Sequence, residues 1–142
     1  MAASKSWSGD AGVQPRPKKY FTLAEATRAL PLVRRIVGDI VRMHEEATVL
    51  HGELEAKLSL PRRDAVQNEL ERAVDRLGDL IDELKQIGCE IKDYRVGLID
   101  FVSKYQGRDI YLCWKLGESA IDFWHELHAG LQGRQPVSEL TN

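Results

Sequence analysis

Aromatic residues are missing from half of this 142-residue chain: none of its ten lies at positions 22–93, while seven fall at 94–142. Two differently built halves follow from that asymmetry. Cysteine is scarce as well, with only Cys89 and Cys113, too few for a disulfide scaffold and read as a reduced pair of a cell interior. No run approaches the roughly 20 apolar residues of a membrane span. The opening MAASKSWSGDAGVQPRPKKYF is polar and charged where a signal peptide needs an apolar stretch, so the expectation is a cytoplasmic protein with no membrane partner. Charge of one sign is lacking too: Lys plus Arg is 20, Asp plus Glu is 22, and the net charge is −2. That balance leaves no electrostatic footprint for nucleic acid. Length excludes a (β/α)₈ barrel of roughly 250 residues, and no internal repeat is visible.

What is present begins with a leader. Residues 1–19 hold four Gly/Pro at positions 9–17 and a short basic patch, Arg16, Lys18 and Lys19. Thr22-Leu23-Ala24-Glu25 then forms a capping box, in which the threonine hydroxyl and the glutamate carboxylate each accept from the other's amide. Pro31 predicts a kink or restart. Beyond it Val33, Ile36, Val37, Ile40, Met43, Ala47, Leu50, Leu54 and Leu58 recur at three and four, one amphipathic helix over 32–58. Ser59-Leu60-Pro61 supplies a break and a new helix start. Val66, Leu70, Ala73, Val74, Leu77, Leu80, Ile81, Leu84 and Ile87 make a second stripe over 62–87, which Gly88 caps. Each helix would reach about 40 Å, and the short joint predicts an antiparallel, coiled-coil-like hairpin. The stripes are wider than a two-helix seam requires. A second copy of the chain is the expected cover, so a homo-oligomer, with a dimer favoured, is predicted, and a charge at Ile40 or Leu77 should weaken it. His44 and His51 lie two turns apart on one edge, too far to share a metal.

After Gly88 the helical period stops. Residues 89–93, 98–102 and 108–114 are rich in strand formers, and Ser103-Lys104-Tyr105-Gln106-Gly107 reads as a hairpin connection. In the second hairpin strand Ile110, Leu112 and Trp114 share one face, Tyr111 and Cys113 the other. Residues 121–128 carry Ile121, Trp124 and His128 at helical spacing and read as two helical turns, with Glu118 as a cap near Ser119. The fold class is therefore α+β, mainly α: a long antiparallel hairpin (20–88) and an aromatic-rich cap (89–137) with a β-hairpin and a short helix. Together they form a single domain over 20–137, followed by a tail at 138–142.

The stretches GLIDF (97–101), GRDIYLCWKLGE (107–118) and FWHELHAGLQGRQP (123–136), with the opening YFTLAEATRALPLVRRIV (20–37), resemble an uncharacterised bacterial domain-of-unknown-function family, number 2203. The resemblance implies that family's fold and a prokaryotic cytoplasmic setting, and it supplies no activity.

Chemistry is to be sought in the second half. Cys89, Cys113, His125 and His128 are a Cys₂His₂ set of zinc-ligand types, although their spacing matches no finger pattern. Glu118 and His125 are candidate catalytic groups, with Asp100 to orient the imidazole and Arg134 to hold an anion, and Cys113 with His125 forms a dyad on paper. Trp114 and Trp124 would wall such a pocket. The same residues equally suit a structural junction, in which the two tryptophans wedge the cap onto the hairpin. No G-x-S-x-G elbow is present. Two readings result: a self-associating helical module that needs no cofactor and engages protein partners, or a small ligand- or metal-dependent enzyme, with zinc as the metal, centred on the cap.

Overall fold

The computed structural model describes residues 19–140; all of the expected leader except Lys19 lies outside them. Thr22 opens α1 (Leu23–Leu54) with the capping box in place: the Glu25 amide donates to the Thr22 hydroxyl at 3.1 Å, and the Thr22 amide to the Glu25 carboxylate at 2.9 Å. The restart expected at Pro31 does not occur, because α1 is continuous through it. Pro31 and Thr27, whose carbonyl the proline leaves unpaired, are both exposed, so solvent can take the freed oxygen. The helix stops at Leu54, short of the expected 58. Ser59 caps α2 (Leu60–Ile87) by accepting from the Arg62 amide at 3.3 Å, Pro61 sits in its first turn, and Gly88 ends it in a left-handed conformation.

Five antiparallel strands follow in sequential order: β1 (Cys89–Asp93), β2 (Leu98–Tyr105), β3 (Arg108–Lys115), β4 (Phe123–Glu126) and β5 (Gln135–Pro136). The β2–β3 turn is only two residues, Gln106 and Gly107, both at positive φ, the backbone that matches strand twist. Residues 123–126 correct the helical reading of 121–128. As a strand they cover the edge of β3 and put Trp124 against Leu112, whereas a helix would leave that edge unpaired. The short helical elements lie further on, as single 3₁₀ turns at Leu131–Gly133 and Val137–Glu139.

Cross-strand partners share a face, which divides the sheet cleanly. Cys89, Ile99, Phe101, Ile110, Leu112, Trp114 and Trp124 form the inner face and pack on Val33, Val37, Ile40, Leu80 and Leu84 at the root of the hairpin. Phe21 joins them edge-on to Phe101 at 5.0 Å, and its amide donates to the Val102 carbonyl at 2.7 Å. Beyond the sheet, the distal hairpin has a separate small core of Leu50, Val66 and Ala73. Ile40, which the stripe pattern offered as an association position, is wholly buried in the proximal core. A charge there would unfold the chain rather than split an assembly.

Gly97 fixes how the β1–β2 connection meets α1. Its φ is +72°, and a Cβ would lie 2.8 Å from Leu116 Cβ and 2.9 Å from Val37 Cγ1. Gly97→Ala is expected to cost about 2–4 kcal/mol from overpacking and left-handed strain together, read as a lowered urea midpoint with an unchanged slope.

Candidate metal centre on the outer sheet face

The outer face carries a polar group of residues that the alternation of three adjacent strands brings together. Asp100 on β2 pairs directly with Cys113 on β3, and His125 on β4 stands one diagonal step away, opposite Tyr111. One ligand atom from each of the three lies within 4.8 Å of the others, and all three residues are buried, Asp100 at 2% exposure, Cys113 at 0% and His125 at 2%. A tetrahedral zinc site, with bonds of about 2.0–2.3 Å, spaces its ligand atoms about 3.3–3.7 Å apart. Small rotamer adjustments would therefore close this triad on an ion.

The protons sharpen the picture. His125 Nδ1 lies 2.7 Å from the Glu126 carbonyl oxygen, which can only accept, so Nδ1 carries a hydrogen. His125 Nε2 lies 3.0 Å from Asp100 Oδ1. A bare imidazole nitrogen and a carboxylate oxygen repel at that distance, so the two share a proton in a hydrogen bond, a proton whose place a metal ion could take. An Nδ1–H tied to a backbone carbonyl is the arrangement that fixes the tautomer of metal-binding histidines.

The same contacts remove the nucleophilic reading. Both His125 nitrogens are engaged, so neither is left to act as base for Cys113. Burial pushes the Cys113 thiol up to about 12, the negative charge of Asp100 adds to this, and Arg134 opposes it without prevailing. A thiol so held is not an activated nucleophile.

Around the triad lie Lys92, Tyr111, Phe123 and Arg134. Lys92 Nζ is 4.3 Å from the Tyr111 ring centre, Tyr111 tilts against His125 at 5.4 Å, and the Arg134 guanidinium covers Phe123 at 4.3 Å. Arg134 forms a two-pronged pair with Glu118, both contacts at 2.7 Å, and donates to the Cys113 carbonyl at 3.4 Å. Glu118 also accepts from the Lys115 amide at 2.8 Å, so it closes the β3–β4 connection rather than capping a helix.

The expected site residues thus separate. Asp100, Cys113 and His125 meet; Glu118 and Arg134 abut them through the Cys113 strand. Trp114 and Trp124 lie on the inner face, wedging the sheet onto the hairpin. Cys89 also faces inward, its thiol 3.8 Å from the Leu84 carbonyl, and His128 is exposed. The four residues of the expected set do not meet; a different group of three does, with Asp100 beside Cys113 and His125 in place of Cys89 and His128. Lys92 and Tyr111 were not singled out by sequence. A signal for Asp100 existed: a two-residue turn at Gln106-Gly107 pairs position 100 with 113.

A helical hairpin bearing a five-stranded antiparallel sheet, with a buried carboxylate–thiol–imidazole triad on its outer face, defines the class of protein. The chain belongs to the family described as "Uncharacterized conserved protein (DUF2203)", whose model matches residues 19–137. No curated protein and no solved structure matches it. Among the described residues no helix is long and apolar enough to cross a membrane.

The Glu118–Arg134 pair yields an acid-dependence. Burial raises the Glu118 carboxyl, but the Arg134 hydrogen bonds and the Lys115 amide outweigh it and hold the group below the usual carboxylate range. A depressed carboxylate stabilises the fold above its unfolded value, and that contribution is lost as pH falls through the folded value. Because the two side chains retain 20% and 13% exposure, Glu118→Gln is expected to cost about 1–3 kcal/mol near neutrality. The difference from wild type should hold from about pH 7 down to about pH 5 and shrink as the pH falls further in urea titrations.

Proposed function

We propose that this is a small metal-dependent enzyme whose centre is Asp100, Cys113 and His125, binding one divalent transition metal. One thiolate, one imidazole and one carboxylate suit zinc by softness and charge. The observation that carries the reading is the meeting of Asp100, Cys113 and His125 in one buried cluster, each offering a ligand atom within 4.8 Å of the others, a set that a cation would draw together. Asp100, Cys113 and His125 would hold the ion, and a zinc ion so held would supply an activated water near neutral pH. Arg134 and the Glu126 carbonyl support the sulfur and the imidazole from behind, as outer partners of metal ligands do.

The full chain loaded with cobalt is expected to take up one ion and to show a thiolate-to-cobalt charge-transfer band. Cys113→Ser should abolish the band, and His125→Ala should weaken binding at least about 100-fold. Absence of stoichiometric metal by elemental analysis, with spectra of wild type and Cys113→Ser indistinguishable, would overturn the proposal.

A second reading, self-association of the hairpin, has its own support. Among the described residues the distal core buries only Leu50, Val66 and Ala73, while Val49 and Val74 stay 58% and 52% exposed. A second copy covering these valines would add burial at about 25 cal/mol per Å². Val74→Glu, which disturbs no buried contact, is then expected to raise the dimer dissociation constant at least about tenfold with unchanged helicity. Sedimentation showing a wild-type monomer at high micromolar concentration would sink this reading.

A further inference from the structure

Lys92 occupies an unusual position on the outer face. Its Nζ lies 3.8 Å from Asp100 Oδ2, an oxygen of a carboxylate only 2% exposed, and 3.3 Å from Glu90 Oε1, which is half exposed. Its ammonium lies against the Tyr111 ring, and its side chain is 36% exposed. One ammonium thus has two carboxylate partners, one inside and one at the surface. Asp100 Oδ1 is already committed to His125, so Lys92 neutralises the remaining oxygen of the buried acid.

We propose that Lys92 is the exchange cation of the metal site: its ammonium, beside the proton shared by His125 and Asp100, compensates Asp100 when no metal is bound, and a divalent cation enters by displacing the ammonium onto Glu90 while that shared proton and the Cys113 thiol proton pass to solvent. The inference rests on the metal reading of the Asp100–Cys113–His125 triad. The physical argument is charge compensation. A carboxylate removed from water needs a positive partner, and an ammonium and a metal dication cannot both hold Asp100 at close range without repelling. Glu90 stands cross-strand from Asp100, which lets the lysine change partners through side-chain rotation alone. The covering group therefore doubles as the entry path: it is far more open to solvent than Cys113 or His125, and moving it uncovers the Asp100 carboxylate. Lys92 is on this account a residue that sets affinity and access and not a ligand.

The test is a zinc titration of the metal-free full-length chain against a chromophoric chelator, with stopped-flow uptake rates. Lys92→Leu keeps apolar cover over Tyr111 and removes the competing charge, so zinc should bind at least about tenfold more tightly and enter faster. Lys92→Ala should behave likewise, guarding against a packing artefact of leucine. Glu90→Gln should act with the opposite sign, because the displaced ammonium loses its alternative partner, and should have no effect in the Lys92→Leu background. Zinc binding by wild type with affinity and rate unchanged or weakened in both Lys92 variants would overturn the exchange role while leaving the metal site standing. Failure of wild type and both Lys92 variants, all folded by circular dichroism, to bind zinc would sink the metal reading and the exchange role with it. Binding by the Lys92 variants but not by wild type would support both.

Discussion

Phe101, Leu112, Trp114 and Trp124 stand on the sheet face that packs against the root of the hairpin, and the rest of the molecule follows from that contact. The hairpin alone has too little seam to bury its proximal stripe, and the sheet alone has a face of large apolar groups that needs cover. Each satisfies the other. Because side chains alternate along a strand, committing these residues to the helices commits Asp100, Cys113 and His125 to the opposite side. A one-residue slip of β3 would carry Trp114 outward and Cys113 into the apolar interior. The register that builds the core is therefore the register that assembles the triad.

Among the described residues the outer face is covered without a second layer of secondary structure. Long side chains supply the cover instead, namely the stem of Lys92, the rings of Tyr111 and Phe123, and the guanidinium of Arg134 held flat by Glu118. Amphipathic groups of this kind can exclude water from a polar cluster and still part to admit something small, which a packed helix could not do. Arg134 matters most here. It ties the segment after β4 to the β3–β4 connection and rests on the Cys113 carbonyl.

Much of the architecture was legible because local signals agreed with the global fold. Thr22 with Glu25, Ser59 before Pro61, and Gly88 after Ile87 mark helix ends by hydrogen bonding, which depends on near neighbours only. Pro31 does not start a new helix because a proline's cost depends on whether the freed carbonyl meets solvent, a property of the folded surface. Residues 121–128 misled for a related reason. Ile121, Trp124 and His128 repeat at helical spacing, but the decisive contact is the pairing of Trp124 with Leu112, and nothing near 124 announces an unpaired edge at β3. The site inherited that error. With 123–126 read as a helix, His125 has no fixed relation to Cys113, although Asp100 is already the expected partner of its imidazole, and the two do meet at 3.0 Å. The Gln106-Gly107 turn did contain the Asp100–Cys113 pairing, since a tight hairpin fixes every partner beyond it.

The separation of the hairpin into two apolar clusters has a dynamic meaning. The proximal turns of α1 and α2 share their fate with the sheet, whereas the distal turns rest on Leu50, Val66, Ala73 and a few partly covered neighbours. Opening the distal end therefore exposes little apolar surface and need not disturb the strands. Amide protons along one continuous helix should accordingly exchange on very different clocks, slowest around Val37 and Leu84 and fastest near the Ser59 joint. The long hairpin is in this sense a graded spring, stiff where it carries the sheet and soft at its tip.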